Sequence, residues 1–330
     1  TIPASAGCAS VPVTTSVTIN AQPNAGTNGN VTICDSSVAP INLYNLITGE
    51  QSGGVWVRTS GTGGTFNAAT GIFTPASGAI TSTFTYTITA AAPCIDSSSI
   101  ATVNINAQPN AGTAGSISVC DNSLTLINLS NIITGEQSGG VWVRTSGTGG
   151  IFDPIAGTFL PAVGAVTSTF SYTIIGVTPC VDSSSIATVN ITPSPTAAIS
   201  YPQPQYCVSS SNVSVTLTGT GAYTGGTYSA TPVGLTINSS TGEITPSTST
   251  PGTYTVRYNI PASGPCIGNF VTTTITITPL PTVIAANLNP TFCSGGTTDI
   301  QLTSNVPGAT FSWTVTGGNV VGAVGGTGNA

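Results

Sequence analysis

The chain has 330 residues and is almost uncharged: 4% of it is Asp, Glu, Lys or Arg, with nine acids, three arginines, no lysine and no histidine, for a net charge of −6. This balance leaves no basic surface to displace counterions from a phosphate backbone, which argues against nucleic acid as a partner. The missing His and Lys also remove the commonest general bases and every His-based triad, which argues against an enzyme.

Hydrophobic residues make up 39%, enough for cores, so Thr, Ser, Asn and Gly must wet the surface. Apolar residues alternate with hydroxylic ones, as in TSTFTYTIT (81–89), which is the period of a half-buried strand. No run of eighteen apolar residues suggests a membrane helix. Aromatics, at 6%, are too few for the girdles of a lipid-facing barrel.

In chain order, NAQPNAGT at 20–27 returns at 106–113, and ITGEQSGGVWVRTSGTGG at 47–64 returns unchanged at 133–150. CIDSSSIATVNI at 94–105 returns as CVDSSSIATVNI at 180–191. The offset is 86 throughout. Cys8, Cys94, Cys180 and Cys266 keep that step, and Cys34, Cys120 and Cys293 belong to a second series, with Cys207 one residue late. ATGIFTPA (69–76) becomes AGTFLPA (156–162) and then STGEITPS (240–247), so later units keep the frame after diverging. The expected division is a tail of one unit at 1–22, whole units at 23–108, 109–194 and 195–280, and the front of another at 281–330. We read these mid-unit ends as a window on a longer array, with any leader outside it.

Each unit holds six or seven short β-prone runs separated by Gly, Pro, Asn and Ser, which predicts tandem all-β sandwiches of immunoglobulin-like type. One helical turn is expected around INLYNLITG (41–49). The joints carry prolines and are expected to be short and stiff.

These features together resemble the immunoglobulin-like and PKD-like repeats of giant Bacteroidota surface proteins, of which the gliding adhesins secreted by the type IX system are an example. The residues carrying the resemblance are an early cysteine, a third-strand aromatic, TG-x-[IF]-x-P before a Tyr-containing strand, and C-x-x-S-x-x-x-V-x-I before a Pro-rich joint. PTFCSGGTTDIQLTSNVPGATFSWTV, from the fourth unit, is the most family-like stretch. The resemblance implies a secreted, surface-displayed stalk and supplies no catalytic residues and no cofactor. Its partners would be further repeats of the same chain and a surface polysaccharide or substratum.

Trp56, Trp142, Tyr228 and Trp313 fall in one column between polar-tending neighbours, and are expected to face inward as core aromatics. A sugar platform is the alternative. Arg58 and Arg144 share that face two residues on and occur together with Glu50 and Glu136, which predicts Glu50–Arg58 and Glu136–Arg144 ion pairs. The cysteines admit two regular pairings. Within units these are Cys34–Cys94, Cys120–Cys180 and Cys207–Cys266, with Cys8 and Cys293 pairing outside the chain. Across joints they are Cys8–Cys34, Cys94–Cys120, Cys180–Cys207 and Cys266–Cys293. The first is preferred, because the second asks a ten-residue final strand to double back. Either implies an oxidising, extracellular setting. Asp35, Asp96, Asp121 and Asp182 flank the cysteines. They are weak calcium candidates that turn-forming Asx contacts explain better.

The function expected is a stalk or spacer segment of a large secreted adhesin. The alternatives are a repeated weak glycan- or protein-binding module, whose ligand would sit on loops such as RTSGTGG (58–64), and a strand-exchanging fibre subunit.

Overall fold

A computed structural model describes residues 7–9, 12–316 and 324–329. The first unit has seven strands: β1 (Gly29–Cys34), β2 (Ile41–Asn42), β3 (Val55–Ser60), β4 (Thr65–Asn67), β5 (Ile72–Thr74), β6 (Ser82–Ile88) and β7 (Ser97–Asn106). They form a four-stranded sheet in the order β1-β7-β6-β3 facing a three-stranded one, β2-β5-β4. The second unit repeats this with β8 (Gly115–Cys120), β9 (Ile127–Asn128), β10 (Val141–Ser146), β11 (Ile151–Asp153), β12 (Thr158–Leu160), β13 (Ser168–Ile174) and β14 (Ser183–Thr192). The third uses β15 (Thr196–Ser200), β16 (Gln205–Cys207), β17 (Thr216–Thr220), β18 (Thr227–Thr231), β19 (Gly252–Ile260) and β20 (Asn269–Thr278), in sheets β16-β20-β19-β18 and β15-β17. The fold is therefore all-β, built as β-sandwich repeats in series.

One pairing sets the geometry of every unit. The first strand of the larger sheet runs parallel to the last: Cys34 stands opposite Asn106, Cys120 opposite Thr192, and Cys207 opposite Thr278. Both strands end at the same pole, where the chain leaves for the next unit.

The alternating sequence fills the space between the sheets. Trp56, Phe73, Phe84 and Tyr86 are buried in the first core, with Trp142, Phe159, Phe170 and Tyr172 in the second. Tyr228, Tyr254 and Tyr258 occupy the third. The helical turn is a short 3-10 segment, Leu43–Asn45, in which the Asn42 side chain accepts from the Tyr44 amide and Leu43 is buried. A Tyr hydroxyl that sequence reasoning did not single out ties each core to its entry turn. Tyr86 accepts from Gly54 N and donates to Gln51 O, Tyr172 does the same with Gly140 and Gln137, and Tyr258 with Gly226 and Tyr223. These hydroxyls are satisfied although their rings are buried.

Two expectations are corrected here. Trp313 is 42% exposed, whereas Phe311, on the same face of its strand, is buried. β21 (Val283–Asn287) pairs with β22 (Ile300–Ser304), and β23 (Thr310–Trp313) with β24 (Gly326–Asn329). The Trp313 ring lies over Gly326 and Gly328, which bring no side chain to cover it.

Among the described residues, neither Arg58 nor Arg144 pairs with a glutamate. β3 carries Arg58 away from the turn that holds Glu50, and a register shift between Arg58 and Ser60 re-aims the strand. The guanidinium donates to Gly63 O at 2.9 Å and to the Oγ of the fully buried Ser82 at 2.7 Å, and it lies 5.1 Å from the Phe73 ring centroid. Arg144 repeats this with Gly149 O, Ser168 Oγ and Phe159. A forked cation can reach a carbonyl and a hydroxyl at once while its plane covers an aromatic edge. Arg58 and Arg144 thus each close the core rim and pin an RTSGTGG loop to the sandwich. Gly64 in that loop has φ +74°, and a Cβ there would collide with the Thr74 carbonyl.

Arg58→Ala is expected to cost about 2 kcal/mol, the worth of charge-assisted hydrogen bonds to buried partners. Arg58→Lys should recover less than half of this, because an ammonium offers no fork. Chemical denaturation of the two variants beside the parent chain measures both effects.

Candidate functional site: the joints between units

The NAQP motif is the local code of the first joint. Asn106 Nδ2 donates to Thr178 O at 3.0 Å, and Gln108 Nε2 donates to Val181 O at 2.8 Å, so the outgoing strand is held to the β13–β14 loop of the next unit. Asp35 accepts from Gln108 N at 2.8 Å, and its own amide donates to Asn106 O. The earlier copy of the motif does the same: Asn20 donates to Ala92 O and Gln22 to Ile95 O. At the second joint, Thr192 and Ser194 stand where the amide pair stood, and Asp121 takes the central role. Its carboxylate accepts from Ser194 N at 2.8 Å and from Gly164 N at 3.1 Å, while its amide donates to Thr192 O.

A disulfide crosses each of these joints. Cys34 bonds Cys180 and Cys120 bonds Cys266, with Cα–Cα distances of 4.9 and 4.8 Å and the same sequence separation of 146. Neither expected scheme survives: Cys34–Cys94, Cys120–Cys180 and Cys207–Cys266 do not form, and nor do the bridges to the nearest cysteine across each joint. The reason is strand direction. Cys34 is in register with Asn106 at the end of β7, whereas Cys94 precedes its start, and ten residues at about 3.3 Å each separate the two poles. A disulfide tolerates Cα separations only up to about 7 Å.

Cys180 sits in the loop that receives the incoming chain, its sulfur 3.3 Å from Asn106 O, which places it beside Cys34. Cys266 stands likewise 3.4 Å from Thr192 O. Cys94 occupies the same position, 3.4 Å from Asn20 O, and Cys207 has the strand-end position of Cys34 and Cys120. Both are free thiols, as are the exposed Cys8 and Cys293. The Ser209 side-chain hydroxyl and then its amide hold the Cys207 thiol below its ordinary value of 9.0.

The four calcium candidates separate in the same way. Asp35 and Asp121 lie at the exit poles. Asp96 accepts from Ala90 N and Asp182 from Gly176 N at the entry poles, so the pair within a unit does not converge. Among the described residues no group of three or more His, Cys, Asp or Glu is placed to hold a metal ion. The carboxylates serve as acceptors for backbone amides in turns and joints. Burial pushes the Asp121 carboxyl up, but the Gly164, Ser194 and Asn122 donors outweigh it and hold it below the ordinary 3.8.

No family model matches the chain, and no curated protein matches it. Among solved structures, it is similar to the N-terminal eight Ig domains of Down Syndrome Cell Adhesion Molecule, with 9% identity and a TM-score of 0.41 over 94% of this chain and 42% of that one. Mouse cadherin-23 EC22-24 gives 11% identity and a TM-score of 0.37, covering 77% of this chain and 96% of its own. Sidekick-1 immunoglobulin domains 1–4 give 11% and 0.28, over 78% and 76%.

Two measurements check the joints. Peptide mapping without reduction should recover Cys34–Cys180 and Cys120–Cys266, and leave Cys8, Cys94, Cys207 and Cys293 to alkylation. For Asp121 the folded carboxyl is the stronger acid, so its contribution is complete above the ordinary pKa and is lost as pH falls through the lowered folded value. Asp121→Ala, which orphans two amides at a buried site, should cost about 2 kcal/mol at neutral pH and flatten that acid limb in pH-dependent unfolding.

Proposed function

We propose that the chain is a stalk segment of a secreted surface adhesin, a series of stiff spacers that holds adhesive regions away from a cell. The observation that carries this reading is the arrangement at the middle unit. Its neighbours attach at opposite ends of the ten-residue β14, and a covalent link beside the connecting peptide fixes each joint. Two bonds across a joint restrict hinging in a way one peptide cannot. Disulfides of this kind belong to oxidising, extracellular settings. We take the unit boundaries at 23–108, 109–194 and 195–280, with 1–22 and 281–330 belonging to flanking units. The resemblance to gliding adhesins of Bacteroidota would place the stalk on a bacterial surface, with polysaccharide or substratum as the far partner.

A repeated binding module is less well supported. A cleft of about 320 Å³ lies beside Trp142, lined by Ser130, Glu136, Gln137, Ile155 and Tyr172. In the preceding unit, however, Tyr44 packs edge-on against Trp56 and Tyr86, at 5.5 Å from each, where Ser130 stands in the second. An opening that one unit fills with its own tyrosine does not repeat along an array. The RTSGTGG loop is tied to its own core by Arg58 rather than presented free. For a fibre built by donated strands, β21 to β24 would have to leave the partners they already have in this chain.

Small-angle scattering distinguishes a stalk from a folded-back chain. Three units in line, each roughly 35 Å long from ten-residue strands and their loops, give a radius of gyration above about 30 Å. A compact chain of this length would give roughly 20 Å. The expected result is the larger value, unchanged on dilution.

A further inference from the structure

We propose that the inter-unit disulfides turn the edge strands into two interleaved covalent tension lines, which carry load past the sandwiches rather than through them. The first line runs along β1, crosses Cys34–Cys180 into β14, and continues by the backbone at Thr192 into the third unit. The second runs along β7, passes by the backbone at Asn106 into β8, and crosses Cys120–Cys266 into β20. In the middle unit the two lines lie side by side, as β8 and β14 paired in parallel from Gly115 to Cys120. Both strands are anchored covalently at both ends.

Without the disulfides, tension on a unit whose first and last strands are parallel pulls the two in opposite directions and shears their hydrogen bonds. With them, both strands are pulled the same way and nothing is sheared. Almost no slack is available, since a strand already rises about 3.3 Å per residue and a fully extended chain reaches only about 3.6 Å. The stretch between Cys120 and Cys180, which contains the Trp142 core, lies on neither line. Its role is to brace the two loaded strands, and it stays folded because tension does not reach it.

This inference goes beyond the stalk reading and depends on it only for its purpose. A compact shape in scattering would end the stalk reading and leave the tension lines standing. The test is optical-tweezers stretching of the full chain, with every cysteine kept and DNA handles clicked to azide-bearing residues in place of the exposed Thr14 and Ser211. Under oxidising conditions the final contour should fall short of the backbone path by the 146 residues the bridge spans, about 530 Å at about 3.6 Å per residue. No step approaching the roughly 310 Å of one unravelled unit should appear. A thiol reductant added during stretching should restore the full length, whereas Cys34→Ser should restore about 400 Å, because Cys120–Cys266 still shortens the path to Ser211 by about 130 Å; the reading is taken at complete extension, so a destabilised variant reports as well as a folded one. Restoration by Cys34→Ser of only about 220 Å would mean that this cysteine closes a loop inside its own unit, and would overturn the proposal. So would a whole-unit step in the oxidised chain, or no change on reduction.

Discussion

The structure depends on the parallel pairing of the first and last strands in the larger sheet of each whole unit. Because β1 and β7 run the same way, the end of β1 arrives at the exit pole together with the end of β7, and Cys34 comes to stand beside the departing chain. Had the two strands been antiparallel, Cys34 would have lain near the start of β7, and a bridge to Cys94 would have been within reach. The same alignment explains why the carboxylates of Asp35 and Asp121 meet the linker amides, and why the receiving loop of the next unit holds the other half of each bridge.

Much of this was legible in the sequence. The repeat, the all-β character, the helical turn near Leu43 and the inward Trp56 and Trp142 follow from periodicities of 86 and 2, which a chain displays directly. Disulfide connectivity is of another kind, since regular cysteine spacing fits any pairing that respects the repeat and only strand direction selects among them. Arg58 misled for a related reason. Its co-occurrence with Glu50 in two nearly identical copies reflects common descent of the copies, and its real partners are a glycine carbonyl and a serine hydroxyl that carry no charge signature. Trp313 shows the limit of column logic, because an inward-facing side chain needs neighbours to cover it, and among the described residues the Trp313 ring lies over Gly326 and Gly328 of the strand beside it.

Near-identity of adjacent units invites strand exchange during folding, since β8 of one unit carries much the same pattern as β1 of the other. A bridge inside each unit would suppress this by closing each bead on itself. Bridges between units act later and differently. Cys34 and Cys180 come within bonding distance only when β1 has paired with β7 and the next unit has docked, so oxidation follows correct assembly and then locks it.

Stability alone does not explain why the bridges lie at joints. Closing a loop of 146 residues is worth about 5 kcal/mol in the chain-entropy model, against about 4 for one of 60, and loop length enters only logarithmically. The sandwiches, moreover, already bury large aromatic cores of their own. Among the described residues each buried apolar cluster stays within one unit, while Asn106, Gln108 and Asp121 hold the joints through hydrogen bonds that water competes for. In a series of strong beads the weakest element is the connection, and it is the connection that received the covalent bond.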